Sequence, residues 1–128
     1  MNLRHLPNFH IFTFHAFIKC DAHEPVVSRD INSILATIPD TNQVRQLTFR
    51  FNIYGEHPFG GCLEQDWVGM CDEVVRVSAG KTIALYLELS IVPTFCPHPG
   101  GDELYERIKE KIAYLSDYPN ICTHLCHI

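Results

Sequence analysis

Three stretches of this chain align without a gap: FTFHAFI over 12–18, LTFRFNI over 47–53 and LYLELSI over 85–91. Their first residues stand 35 and 38 positions apart, and each stretch alternates apolar with polar side chains while favouring aromatic and branched types. Successive side chains of a β-strand point to opposite faces, so a period of two with this residue usage predicts a half-buried strand in each copy. Repetition at such an interval also predicts that each copy is one unit of a stacked array.

Between the strands the period lengthens to that of a helix. Ser28 is a candidate cap for a helix carrying Ile31, Ile34, Leu35 and Ile38 and ending before Pro39. Leu63, Trp67, Met70, Val74 and Val77 mark a second helix, closed by Gly80. A third opens at Asp102 and carries Leu104, Ile108, Ile112 and Leu115, with Pro119 beyond its end.

Strand and helix therefore alternate three times, and right-handed crossovers make the three strands parallel neighbours. Strands covered on both faces would be apolar on both. Here Phe12, Phe14, Leu47, Phe49, Phe51, Leu85, Leu87 and Leu89 share one face, while Thr13, His15, Thr48, Arg50, Asn52, Tyr86, Glu88 and Ser90 share the other. The expected fold is α/β, with all helices on one face of three parallel strands. Phe9-x-x-Phe12-x-Phe14 and Val44-x-x-Leu47-x-Phe49 reproduce an L-x-x-L-x-L spacing, so the fold is read as a leucine-rich-repeat-like solenoid fragment. At 128 residues it is one domain, 1–128. Neither end shows a polar capping unit, so the units read as a section of a longer solenoid, and exposed strand edges make self-association an expectation.

Composition narrows the function classes. With 46% apolar and 20% charged residues the chain has ordinary globular usage, and a net charge of −5 without a basic run offers nothing to phosphate backbones or anionic lipid. Neither nucleic acid nor a membrane is an expected partner. The opening MNLRHLPNFHIFTFHAF is interrupted by His5, Pro7, His10 and His15 where a signal peptide needs an apolar run, so an intracellular location with reduced thiols is expected.

The stretches LTFRFNIYGEHPF, LEQDWVGMCDEVVRVSAGK, LYLELSI and DELYERIKEKIAYLSDYPNICTH resemble the C-terminal, leucine-rich-repeat-like region of F-box-type proteins of mushroom-forming fungi. The resemblance spans roughly Leu3 to His124. It implies that the repeat region holds a target protein, while an N-terminal F-box docks the adaptor of a ubiquitin ligase. No F-box precedes Leu3 in this sequence, so the implied role is target recognition without adaptor docking.

Several clusters invite a chemical reading. Cys122, His124, Cys126 and His127 lie close together near the C-terminus, with Cys96 and His98 upstream. Tetrahedral zinc is usually held by paired knuckles such as C-x2-C or H-x3-H, and C-x-H-x-C-H is neither, so the cluster is read as a frayed tail and no metal or other cofactor is expected. Cys20 with His23 has the makings of a thiol and its base, without a motif for the orienting group or the oxyanion hole. A small metal-binding or cysteine-dependent enzyme built on these clusters is the alternative to an interaction module. Asp72/Glu73 and Glu64/Asp66 are neighbours in sequence and lack the facing geometry of acid/base pairs. The glycine segments GEHPFGG and PHPGG match no phosphate-binding loop, Trp67 falls on an apolar stripe, and Cys71 reads as a small buried apolar residue.

The polar strand face remains. In register, His15, Arg50 and Glu88 form one row, Thr13, Thr48 and Tyr86 a second, and Phe17, Asn52 and Ser90 a third. Arg, Tyr and exposed Phe are the side chains that dominate protein interfaces. These nine residues are the expected contact face of a non-enzymatic interaction module whose partner is a target protein, with no catalytic residues assigned.

Overall fold

The alternating segments become strands that each reach a little beyond the repeated heptapeptide. In the computed structural model, which describes residues 9–19, 26–54, 63–91 and 101–127, they are β1 (Ile11–Lys19), β2 (Gln46–Tyr54) and β3 (Ile83–Ile91). Helices α1 (Val26–Leu35), α2 (Trp67–Ser78) and α3 (Gly101–Lys111) follow them in turn. A 3-10 turn over Ala113–Asp117 then leads into a further strand, β4 (Ile121–His127). The sheet has four parallel strands in the order β1-β2-β3-β4. The fourth corrects the expectation of three strands and a frayed tail: residues 121–127 pair with β3 from Ile83↔Ile121 to Leu89↔His127.

Register follows the sequence alignment. Phe12 pairs with Leu47 and Leu47 with Leu85, and β4 extends the row to Thr123. Leu47, Phe49, Phe51, Ile53, Leu85, Leu87 and Leu89 are buried, while their alternating neighbours Arg50, Asn52, Tyr86, Glu88 and Ser90 keep access to solvent. The apolar stripes of the helices join the same core through Ile31, Leu35, Met70, Val74, Val77 and Ile108. Phe51 meets Trp67 edge-on at 5.6 Å, a favoured aromatic geometry.

Local chemistry sets the helix ends. Asp66 caps α2 by accepting the Gly69 N–H at 2.9 Å. A Cβ on residue 69 would stand 2.2 Å from the Asp66 carboxylate, so glycine is what lets this cap close. At the other end Ala79 and Gly80 take positive φ values of 48° and 79°, the left-handed turn that ends a helix. Ser28 corrects the expected cap of α1. It lies inside the first turn, and its hydroxyl accepts the Asp66 N–H at 2.8 Å while its own N–H donates to Gln65 Oε1 at 2.9 Å.

Polar staples of this kind tie each unit to the next. Arg76 of α2 donates to the Leu35 and Ile38 carbonyls at 2.7 and 2.9 Å and to Asp40 at 2.8 Å, while Glu73 holds its Nε at 2.9 Å. A cation over the carbonyl end of a helix also meets the negative pole of its dipole. Asn42 bridges the Pro39 and Val77 carbonyls at 2.8 and 3.0 Å, and Asn120 reaches Ser78 Oγ and the Lys81 carbonyl at 3.2 and 2.9 Å.

A sheet covered on one side makes aromatic side chains of the two faces behave differently. Phe51→Ala, at a side chain 2% exposed, is expected to cost about 3–5 kcal/mol by leaving a core cavity. Phe17→Ala, at a side chain 64% exposed, is expected to change stability by less than about 0.5 kcal/mol. Urea unfolding followed through the fluorescence of the single Trp67 measures both.

Candidate functional site

The face opposite the helices is the surface on which the three expected rows come together. The pairing His15↔Arg50↔Glu88 builds the first, Thr13↔Thr48↔Tyr86 the second and Phe17↔Asn52↔Ser90 the third. Strands about 4.8 Å apart make them a continuous surface. β4 lengthens two rows, adding Cys126 beside Glu88 and His124 beside Tyr86. Its own edge row places Cys122 next to Ala84 and, across the sheet, Gln46 and Ile11.

Side-chain contacts on this face run along and across the strands. Arg50 Nε lies 2.6 Å from Glu88 Oε2, an ion pair half open to solvent and so worth under about 1 kcal/mol. Asn52 Nδ2 sits 2.7 Å from His15 Nε2, on the diagonal between β1 and β2. The His15 ring stacks on Phe17 at 5.5 Å, and Tyr86 stacks on His124 at 4.8 Å with 13° between the planes. Of the nine expected contact residues, Thr13, His15, Phe17 and Arg50 are exposed, and Asn52, Tyr86, Glu88 and Ser90 are half-buried. Thr48 departs from the set at 5% exposure, with Gln46 Nε2 donating to its hydroxyl at 3.3 Å. It serves as the floor of the surface and offers a partner almost no area.

Recesses also lie away from this face among the described residues. A groove of about 590 Å³ runs between α3, the 3-10 turn and β4, lined by Tyr105, Ile112, Leu115, Tyr118, Ile121 and Leu125 among others. A smaller recess of about 370 Å³ lies beside α1 and the Asp66 cap, lined by Ser28, Arg29, Asn32, Ser33, Ala36 and Asp66. Neither was foreseen from the sequence: the larger is bordered by β4, which the sequence did not signal, and the smaller forms where α1 meets Asp66, distant in the chain.

Cys20, His23, Cys96 and His98 lie outside the described residues. Cys122, His124 and Cys126 share the polar face of β4, each one pleat repeat from the next, and all three are exposed. Among the described residues no group of three or more His, Cys, Asp or Glu side chains converges as a metal site. Asp66 caps α2, Glu73 holds Arg76 and Asp72 accepts the Tyr114 hydroxyl at 2.6 Å, so these carboxylates are engaged in structure. Burial and that hydrogen bond hold the Tyr114 hydroxyl protonated well above its ordinary range. Trp67 and Cys71 are core residues, at 3% and 0% exposure. Among the described residues no helix is long and apolar enough to cross a membrane.

Comparison with protein-family models, with curated proteins and with solved structures gives no match.

The described cysteines divide into buried Cys71 and exposed Cys122 and Cys126. Burial first, and then the nearby charges of Asp72 and Asp66, push the Cys71 thiol up to about 12. A maleimide at mildly alkaline pH should therefore label Cys122 and Cys126 in the native chain and reach Cys71 only on unfolding, as read by peptide mass spectrometry. Because the folded thiol keeps a proton that the unfolded chain releases above 9.0, stability should also fall as pH climbs from there towards 12. Cys71→Ala should weaken that dependence.

Proposed function

We propose that this chain is a non-enzymatic protein-interaction module whose polar sheet face contacts a target protein. The observation that carries the reading is the register. It sets Phe17, Arg50 and Tyr86 on one continuous surface across three strands, with Phe17 64% exposed and, among the described residues, no helix covering them. Phe17 adds open apolar area to this surface, and Arg and Tyr are the types that anchor interfaces. The stacked pairs His15/Phe17 and Tyr86/His124 hold rings in fixed orientations before a partner arrives, which reduces the ordering cost of binding.

The fold is read, at the finer level, as a section of a leucine-rich-repeat-like solenoid. Strand order β1-β2-β3-β4, near-constant spacing of the units and helices gathered over one face support that reading. It agrees with the resemblance to the target-holding region of F-box-type proteins of mushroom-forming fungi, in which this kind of surface presents a substrate to a ubiquitin ligase. The partner class that follows is a protein, in keeping with a net charge of −5 that disfavours nucleic acid and anionic lipid.

The test compares immobilised wild type with Arg50→Glu/Tyr86→Ala and with a control on the opposite side, Val68→Lys, at a side chain 55% exposed on α2. Proteins held by wild type and by the control should be lost from the double variant, with affinity lowered about 30-fold or more, while circular dichroism stays unchanged. Retention by the double variant at wild-type strength would place the contact elsewhere.

A further inference from the structure

We infer that β4 pairs with β4 of a second copy of this chain, antiparallel and centred on His124, joining two sheets edge to edge. This surface is separate from the centre of the polar face and stands or falls independently of the target-binding reading.

Among the described residues β4 is the last strand of the sheet, and no further strand pairs with its outer edge. The Asn120 carbonyl accepts the Ile83 N–H at 3.0 Å, so that peptide group is turned towards β3. Orientation alternates along a strand, so Cys122, His124 and Cys126 also turn their peptide groups to β3, while Thr123 and Leu125 turn theirs outward. The Tyr105 hydroxyl donates to the Leu125 carbonyl at 3.0 Å, which leaves that oxygen a second lone pair. Natural edges are guarded by charged side chains or proline. The sequence ICTHLCH of β4 contains neither Pro, Lys, Arg, Asp nor Glu.

The pattern of side chains on that edge is self-complementary. A two-fold axis at His124 sets this residue against the partner subunit's His124 and sets Cys122 against Cys126 of the partner subunit. Because these residues direct their peptide groups to β3, they form non-hydrogen-bonded pairs, with Cα atoms about 4.5 Å apart. Thr123 then forms the hydrogen-bonded pair with Leu125 of the partner subunit, using the outward N–H and C=O groups. No lysine, arginine or carboxylate meets its like in this register, and cysteine pairs at that spacing lie within reach of a disulfide.

The groove beside β4 supplies the apolar area that a strand edge alone lacks. Its 590 Å³ opens along β4 on the helix side, lined by Tyr105, Leu115, Tyr118 and Leu125. The same two-fold brings the two grooves face to face, so each copy closes the other. That matters because a stable interface needs about 1,000 Å² or more of buried surface. The other edge strand among the described residues, β1, contains no cysteine and lacks this symmetry. A head-to-tail join of β1 to β4 would set no cysteine opposite another.

Register-specific cross-linking tests the proposal. In a parent carrying Ser at positions 20, 62 and 96, diamide should take up the hydrogens of two facing thiols and yield a covalent dimer of twice 14.7 kDa that a reducing agent dissolves. Cys71 remains, since it is buried. Cys122→Ser alone and Cys126→Ser alone should each lose the cross-link, because the one thiol left on each β4 then faces a serine. An equal mixture of the two should regain it through one disulfide per dimer. Thr123→Pro removes an outward N–H without touching the β3 ladder and should halve the mass measured by sedimentation, with circular dichroism unchanged. A parent that sediments as a monomer at every concentration, single variants that cross-link alone as well as the mixture does, or growing assemblies that diamide never links would each overturn the inference.

Discussion

The structure depends on a single asymmetry: the strands are apolar on one face only. Phe49, Phe51, Leu87 and Leu89 are all at or below 2% exposure, while Arg50 and Glu88, one residue along, reach solvent. Burying a second layer over the polar face would strand a guanidinium, a carboxylate, an imidazole and the amide and hydroxyl groups of Thr13, Asn52, Tyr86 and Ser90 away from water, each at a cost of several kcal/mol at order of magnitude unless paired. Every helix must therefore return over the same face. A chain that returns each time by the same side lays its strands in sequential order, which is the order observed.

From that order comes the site. Parallel neighbours with a common register convert a pattern along the sequence into rows across a surface, so that residues some 35–38 positions apart, such as His15, Arg50 and Glu88, stand side by side. Units are locked at this spacing by side chains that cross from one to the next. Arg76 grips the carbonyl end of α1, Ser28 and Asp66 exchange the two helix starts, and Asn120 ties the turn before β4 to the end of α2. A shift of one residue in any strand would carry its apolar side chains into water. The staples and the core thus enforce the same rows.

Much of this was legible in the chain. The strands β1, β2 and β3, their register and the stripe of α2 follow from hydrophobic periodicity, which is strong where Phe and Leu alternate with Thr, Arg and Glu; the third helix is shorter than expected, ending at Lys111, so that Ile112 and Leu115 fall at and in the 3-10 turn. β4 escaped because its alternation is weak. On its core side the apolar residues are Ile121 and Leu125, with Thr123 between them, and its other side carries Cys and His, whose hydropathy does not contrast sharply with a core. The row alignment offered a signal, since Leu85 to Thr123 repeats the interval of Leu47 to Leu85. Ser28 looked like a local cap and proved to serve a helix 38 residues away, because its hydroxyl meets the Asp66 N–H. Contacts of that kind, like the burial of Thr48 among its neighbours on an open face, depend on which units lie side by side and leave no trace in a local pattern.

The most direct test of the account is residue-resolved carbene footprinting of the free chain. Labelling along β2 and β3 should alternate, with Arg50, Asn52, Tyr86, Glu88 and Ser90 modified and Leu47, Phe49, Phe51, Leu85, Leu87 and Leu89 spared. Equal protection of Arg50, Tyr86 and Glu88 with their apolar neighbours would mean that a second layer covers the sheet, and the open face on which the proposed function rests would not exist.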